Sequence, residues 1–183
     1  MISDYRKQKL LHLFNVFFDT DSSGSVEKND FELAASNIAK ARGWRVGGDK
    51  YKDILDSLLK IWDGLQNSAD ADKDGKVTAE EWVSMWENFS DDPTASADWQ
   101  KQFCRVMFQL EDAGGDGSID REEFASVFES FGLIKEDAEA AFTVISNGET
   151  TVSWERFQDL WNQYFTSDDC HEPGNYIFGA ATF

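Results

Sequence analysis

The middle of the chain contains the stretch Asp70-Ala71-Asp72-Lys73-Asp74-Gly75-Lys76-Val77-Thr78-Ala79-Glu80-Glu81. Acidic residues occupy its positions 1, 3, 5 and 12, and glycine occupies position 6. A hard divalent cation takes six to eight oxygen ligands, and this spacing supplies them from one loop in which the glycine permits a sharp turn. The stretch therefore predicts a calcium-binding helix–loop–helix. Its ligands are Asp70, Asp72, Asp74, the Lys76 carbonyl, Thr78 through its hydroxyl or a water, and Glu81.

The same unit recurs along the chain, with a β-branched residue followed five positions later by an aromatic residue. These pairs are Val26 and Phe31, Val77 and Trp82, Ile119 and Phe124, and Val152 and Phe157. Counting back seven residues from each β-branched residue defines loop 1 (residues 19–30), loop 2 (70–81), loop 3 (112–123) and loop 4 (145–156). The repeat predicts an all-α, compact globular fold of four EF-hands arranged as two paired lobes. A short β-pairing is expected between the loops of each pair.

Loop 1 keeps this frame but ends in aspartate rather than glutamate. Its candidate ligands are Asp19, Asp21, Ser23, Ser25, Glu27 and Asp30. Aspartate is one methylene shorter than glutamate, so it reaches a metal less easily with both oxygens and favours compact octahedral coordination. We expect Mg²⁺ to compete with Ca²⁺ at this loop.

Loops 3 and 4 depart further from the pattern. The candidate ligands of loop 3 are Asp112, Asp116, Ser118 through its carbonyl, Asp120 and Glu123. Gly114 at position 3 brings no side-chain oxygen, so a water replaces it or the site binds more weakly. Loop 4 begins with Ile145 and ends with Arg156, and because a guanidinium cannot ligate a cation, this loop is predicted to be metal-free. Up to three Ca²⁺ ions are therefore expected.

The loops and connections indicate three segments. Residues 1–91 would form an N-terminal lobe with hands 1 and 2, and residues 92–166 a C-terminal lobe with hand 3 and the degenerate hand 4. Residues 167–183 form a tail that carries Tyr176, Ile177 and Phe178. Because an exposed apolar cluster at a chain end favours association, we expect the tail to pack back on the core, where a sensor would take a target helix.

Composition and charge restrict the partners. Thirty-five acidic residues against 17 basic residues give a formal charge of -18, which repels nucleic acid and anionic membranes and attracts cations. No run of eighteen apolar residues, lipidation signal or secretory signal is recognisable, so a cytoplasmic protein without a membrane anchor is expected. Cys104 and Cys170 are predicted to be free thiols, and His12 and His171 surface residues.

Several pieces of the sequence are similar to the sarcoplasmic calcium-binding proteins of invertebrates, including calexcitin-like neuronal members. They are Ile61-Trp62-Asp63-Gly64-Leu65, Glu80-Glu81-Trp82, Met85-Trp86, Asn147-Gly148 and Gly174-Asn175-Tyr176-Ile177-Phe178-Gly179. The resemblance runs from end to end. It implies a two-lobe helical fold, active loops 1 to 3 with a silent loop 4, and cytosolic Ca²⁺ and Mg²⁺ buffering. Gly114 departs from the family's oxygen-bearing residue at that position.

Two other functions compete with the buffer. A calexcitin-like sensor would expose apolar surface on binding calcium and would bind a signalling protein, but the chain has only Met1, Met85 and Met107 for a methionine-rich groove. A photoprotein-like or coelenterazine-binding protein shares the scaffold, yet such proteins use loops 1, 3 and 4, whereas loop 2 is the most complete here. No catalytic constellation or phosphate loop is present, so we expect a monomeric protein that is not an enzyme.

Overall fold

The computed structural model describes residues 2–89 and 98–179. The α-helices are α1 (Asp4–Leu13), α2 (Lys28–Ala41), α3 (Asp49–Ala69), α4 (Ala79–Phe89), α5 (Asp98–Glu111), α6 (Arg121–Ser130), α7 (Lys135–Ile145) and α8 (Trp154–Thr166). A π-helical segment, Phe14–Phe18, continues α1, and a 3-10 helix spans Pro173–Tyr176. The strands are β1 (Ser25–Val26), β2 (Val77–Thr78), β3 (Ser118–Asp120) and β4 (Thr151–Ser153).

The strands pair the loops two by two. Strand β1 is antiparallel to β2, with Val26 opposite Val77, and β3 is antiparallel to β4, with Ile119 opposite Val152. These four β-branched side chains are at most 1% exposed, so each pair shields its backbone hydrogen bonds with apolar atoms. The predicted helical fold of paired hands, with β-pairing between loops, is confirmed.

In the second pair of hands, the last residue of each strand is also the N-cap of the helix that follows it. Asp120 Oδ1 accepts hydrogen bonds from the backbone N–H groups of Glu122 and Glu123, at 2.8 and 2.9 Å. Ser153 Oγ accepts one from Arg156 N at 3.2 Å. Because the first N–H groups of a helix have no partner inside the helix, these caps satisfy them. The start of α6 and of α8 is therefore encoded within the loops themselves.

The chain divides into two units. The first takes in Met1–Ile2 and Leu10–Phe103, and the second takes in Ser3–Lys9 and Cys104–Phe183. The lobe boundary predicted after residue 91 lies outside the described residues and stays a prediction.

The core of the first unit is aromatic. The ring of Phe18 lies 4.8 Å from Trp82, 5.0 Å from Phe103 and 5.9 Å from Phe31, measured between ring centroids. Trp82 is fully buried, and its indole N–H donates to the carbonyl of Leu10 at 2.8 Å. A large ring with a satisfied polar atom contributes both buried area and orientation. The aromatic residue that follows loop 2 therefore anchors its exit helix.

The second unit has its own aromatic core, to which the C-terminal segment contributes. Phe124 lies 4.7 Å from Phe128 and 5.8 Å from Phe142 between ring centroids. Ile177 and Phe178 are 0% and 1% exposed. The last four residues, 180–183, lie outside the described part of the chain.

Both cysteines are free thiols, as predicted, with Cys104 buried and Cys170 exposed. Burial raises the pKa of Cys104 to about 12, with a smaller contribution from Glu111. His171 is exposed, but His12 is half-buried and burial lowers its pKa, so the prediction that His12 is a surface residue is wrong. Within residues 2–89 and 98–179, no helix has the length and apolar character needed to span a membrane.

Candidate metal centres

Loops 1 to 3 are folded around the aspartate at position 1. Asp19 accepts backbone hydrogen bonds from Ser23 and Gly24 at 2.8 and 2.9 Å, one on each carboxylate oxygen. Asp70 and Asp112 do the same, with the N–H groups of positions 5 and 6 at 3.0–3.1 Å. The glycine at position 6 has a φ of +86° to +89° in all three loops, a conformation that is costly for residues with a Cβ. The common geometry follows from the shared spacing of aspartate and glycine.

Loop 2 brings its first three carboxylates together. Oxygen atoms of Asp70, Asp72 and Asp74 lie within 4.8 Å of one another. Glu81 closes the loop, since one of its oxygens accepts from Ala71 N at 3.0 Å and the other from the N–H and the hydroxyl of Thr78, both at 2.9 Å. These bonds, above all that from the Thr78 N–H, lower the pKa of Glu81. Three neighbouring aspartates, with a glutamate at the last position of the loop, suit a hard divalent cation.

The carboxylates of loop 1 also lie close together, but the last residue of this loop is aspartate, which is shorter than the glutamate of loop 2. Oxygen atoms of Asp19, Asp21 and Asp30 lie within 4.8 Å of one another. Asp30 is 1% exposed and accepts from Asp21 N at 3.2 Å and from Glu27 N at 2.7 Å. Burial raises the pKa of Asp30, although both hydrogen bonds act against this change. The closing carboxylate is therefore held in place by the loop backbone at both of its oxygens.

The remaining candidate ligands of loop 1, which are Ser23, Ser25 and Glu27, form other hydrogen bonds in this structure. The hydroxyl of Ser23 donates to the carbonyl of Ser25 at 3.0 Å, so the oxygens of positions 5 and 7 lie side by side. Glu27 at position 9 is engaged elsewhere, because its carboxylate accepts from Lys76 Nζ at 2.6 Å. Lys76 is position 7 of loop 2, so this ion pair joins the two loops of the first unit.

Loop 3 has the same backbone frame but a weaker convergence. Glu123 accepts from Gly114 N at 2.7 Å and from Asp120 N at 3.0 Å, and Asp116 accepts from Ser118 N and its hydroxyl at 2.9 and 2.8 Å. Among the described residues, no three carboxylates of this loop have oxygens within 4.8 Å of one another. Gly114 accounts for the difference, since position 3 has no carboxylate to add.

Glu111, the residue before loop 3, is buried and makes none of the loop hydrogen bonds that its neighbour Asp112 makes. Glu111 is 0% exposed, and its carboxylate oxygens have no hydrogen-bond partner among the described residues. Burial raises its pKa well above the ordinary value of a glutamate, because the charged form is poorly solvated there. Asp112, by contrast, receives the two loop N–H groups. Of these two adjacent acids, the geometry supports Asp112 as position 1 of loop 3. The burial of Glu111 was not anticipated from the sequence.

Loop 4 is closed without acidic ligands at its ends. Arg156 Nε donates to the carbonyl of Ile145 at 3.1 Å, so a hydrogen bond directly joins positions 1 and 12. The turn uses left-handed backbone at Asn147 and Gly148, with φ of +54° and +84°. In a metal-binding hand the cation joins these two ends. The Arg156 side chain thus links the first and last positions of loop 4 directly.

Paired helix–loop–helix units with convergent acidic loops define an EF-hand calcium-binding protein. The EF hand family model matches residues 67–86 and 106–128. The chain is 31% identical over 182 residues to sarcoplasmic calcium-binding proteins II, V, VI and VII of Branchiostoma lanceolatum, covering 97% of this chain and 98% of that protein. The chain belongs to the sarcoplasmic calcium-binding protein family, which confirms the resemblance seen in its sequence.

Two further similarities agree with this assignment. A solved sarcoplasmic calcium-binding protein from amphioxus superposes with a TM-score of 0.82 at 30% identity, covering 98% of each chain. Calexcitin-1 of Caenorhabditis elegans is 27% identical over 189 residues, covering 100% of this chain and 90% of that protein. The names of the sarcoplasmic relatives state calcium binding, and membership of their family together with the EF hand match supports Ca²⁺ as a ligand of this chain.

Proposed function

We propose that the protein is a cytoplasmic Ca²⁺/Mg²⁺ buffer with three usable loops and a fourth hand that serves as a structural partner. A buffer hand changes little on binding metal, whereas a sensor opens an apolar groove. The observation that carries this proposal is the burial of Ile177 and Phe178, two residues of the C-terminal tail, in the second unit. The word sarcoplasmic in the names of its relatives supports the cytoplasmic location.

The tail covers apolar surface that a sensor would offer to a target. The ring centroid of Phe178 lies 4.7 Å from Tyr164, 5.6 Å from Trp161 and 6.3 Å from Phe165, the aromatic face of α8. Polar contacts hold the preceding turn, since Gly174 N donates to Gln163 Oε1 and Lys9 Nζ donates to Asn175 Oδ1, both at 2.9 Å. A target helix would have to displace this segment, which favours a protein that stays closed.

The three proposed sites are ranked by their closing residue and their carboxylates. Loop 2 has a glutamate at position 12 and three convergent aspartates, so it is the strongest calcium site. Loop 1 closes with Asp30, whose shorter side chain suits the octahedral geometry and short oxygen distances of Mg²⁺. Loop 3 lacks a side-chain oxygen at Gly114 and binds more weakly.

Calorimetric titration tests the number and selectivity of the sites. We expect three Ca²⁺ per chain, with millimolar Mg²⁺ weakening binding mainly at loop 1. Glu81→Gln should remove one binding event, because it replaces the carboxylate that closes loop 2. Glu80→Gln, an exposed neighbour, is the matched control and should retain all three. An unchanged stoichiometry in Glu81→Gln, or Mg²⁺ competition at loop 1 that is as strong in Asp30→Glu as in the unmodified protein, would contradict the proposed sites.

The sensor is the second candidate, favoured by the similarity to a calexcitin. Binding of a hydrophobic dye separates the two functions when it is measured in the metal-free, Mg²⁺-loaded and Ca²⁺-loaded protein. A buffer should bind equally little dye in the two loaded states. Deletion of residues 174–183 is the positive control and should raise the dye signal. A large increase that Ca²⁺ causes and Mg²⁺ does not would favour the sensor.

A further inference from the structure

A second group of metal-ligand side chains lies outside the EF-hand loops. Asp169, Cys170 and His171 are exposed, and one ligand atom from each lies within 4.8 Å of the others. His171 Nδ1 is 3.1 Å from Asp169 Oδ1 and 3.4 Å from Cys170 Sγ. Both contacts go to the same ring nitrogen, so the imidazole cannot relay a proton from the thiol to the carboxylate. Three donors that converge on one point are instead arranged as a chelating group.

These separations match those between ligands of a tetrahedral zinc ion. Bond lengths of about 2.3 Å to sulfur and about 2.0 Å to nitrogen and oxygen place the nitrogen roughly 3.5 Å from the sulfur and roughly 3.3 Å from the oxygen. A cation can therefore enter between these side chains with small rotamer changes. Binding would replace the hydrogen bonds that His171 now makes to its two neighbours.

Buried side chains donate hydrogen bonds to the backbone of the turn that carries Asp169, Cys170 and His171. Asn175 is 0% exposed, and its amide donates to the carbonyl of Asp169 at 2.9 Å. Lys9, also 0% exposed, donates to the carbonyl of Ser167 at 2.9 Å. The backbone N–H of His171 donates to Asp169 Oδ1 at 2.8 Å, and this bond together with that from the ring lowers the pKa of Asp169. A turn held in this way loses less conformational entropy when it chelates a metal.

The side chains of Asp169, Cys170 and His171 prefer a different kind of metal ion from the one that the EF-hand loops prefer. Thiolate and imidazole prefer borderline and soft transition metals, whereas Ca²⁺ and Mg²⁺ prefer the all-oxygen loops. We propose that Asp169, Cys170 and His171 form a separate binding site for a divalent transition metal of the Zn²⁺ type, with water as the fourth ligand. The adjacent acids Asp168 and Glu172 add negative charge that attracts the cation.

Cobalt substitution tests this site in the full chain. The protein is first saturated with Ca²⁺ under reducing conditions, so that the loops are filled, and is then titrated with Co²⁺. We expect one Co²⁺ per chain with a thiolate-to-cobalt charge-transfer band, the visible bands of four-coordinate cobalt, and displacement by Zn²⁺. Absence of the charge-transfer band, or failure of Zn²⁺ to abolish it, would overturn the proposal.

Three variants assign the ligands. Cys170→Ser should abolish the charge-transfer band, and His171→Gln should weaken Co²⁺ binding at least roughly tenfold, since even residues that only orient a ligand change metal affinity by about 10- to 100-fold. Cys104→Ser is the matched control, because this buried thiol should not contribute. A band that survives Cys170→Ser, or an undiminished affinity in His171→Gln, would rule out the three-ligand site. Calcium stoichiometry should be the same in all variants.

Discussion

Lys76 Nζ lies 2.6 Å from Glu27 Oε1, so one ion pair joins position 7 of loop 2 to position 9 of loop 1. The Glu27 carboxylate is a candidate ligand of loop 1, while the Lys76 carbonyl is a candidate ligand of loop 2. The hydrogen bond to Glu27 raises the pKa of Lys76. The ammonium group joins the two loops, and it would compete with a metal ion that uses Glu27 as a ligand.

Lys76→Met should strengthen calcium binding at loop 1, because Glu27 is released and a positive charge is removed. Exposed ion pairs are weak and screened by salt, so we expect an effect of about twofold to fivefold that fades at high ionic strength. Calorimetric titration at two salt concentrations measures it. Lys73→Met removes the same charge from the same loop without the bond to Glu27. An equal effect in both variants would mean that only the general charge matters.

Gly114→Asp should strengthen calcium binding at loop 3. The new side chain adds the missing carboxylate at position 3, and affinity rises with the number of charged ligands, here by roughly tenfold. A Cβ at Gly114 would lie 3.1 Å from Glu123 Oε1, so this side-chain atom would have to move by only a few tenths of an ångström, and the backbone needs no left-handed conformation there. Calcium titration of loop 3 provides the measurement.

Ala113→Asp is the control for this variant, because it adds the same charge at position 2, which is exposed. It should leave the affinity of loop 3 within a factor of about two. Equal gains in Gly114→Asp and Ala113→Asp would show that charge, and not ligation at position 3, governs the site.

Arg156→Met should lower stability without changing the number of calcium ions bound. The variant loses the hydrogen bond from Nε to the Ile145 carbonyl, which contributes about 1 kcal/mol to the free energy of unfolding. Urea denaturation of the calcium-loaded protein measures the loss, and the exposed Arg105→Met serves as the comparison. A change in the number of bound Ca²⁺ ions, or a stability equal to that of Arg105→Met, would contradict the structural role assigned to Arg156.

Lys9 should make stability rise with pH in the alkaline range. Burial, with a contribution from Arg6, lowers the pKa of Lys9 to about 8, from 10.5 for a lysine side chain in water. Between these values the unfolded chain binds the proton more strongly than the folded chain. The free energy of unfolding therefore increases with pH across that window, by roughly 1–2 kcal/mol between about pH 7.5 and about pH 9.5.

Urea denaturation at the two pH values compares the unmodified protein with two variants. Lys9→Met should be less stable, because Ser167 and Asn175 lose their donor, and should lack this part of the rise. Lys7→Met, which replaces an exposed lysine of the same helix, should keep it. An identical pH dependence in Lys9→Met and the unmodified protein would contradict the role assigned to this buried amine.

The sequence by itself determined the four-hand repeat and the register of the loops. These features depend on interactions within twelve residues: an aspartate at position 1 binds the N–H groups of positions 5 and 6, and Gly75 or its counterpart takes the turn. The β-branched residue at position 8 follows in each loop. Such short-range contacts follow from the spacing of residues along the chain, which is why the loop pattern could be recognised without a structure.

Other features were decided only by the tertiary structure. Lys76 and Glu27 are 49 residues apart in the sequence, and Lys9 and Asn175 are 166 residues apart. These partners therefore depend on how distant parts of the chain pack. The same holds for Glu111, an acid that looks like a loop residue in the sequence but is buried against the core. Local spacing encodes which oxygens a loop offers to a metal, whereas packing over long chain separations decides which charges are buried, paired or left free to bind.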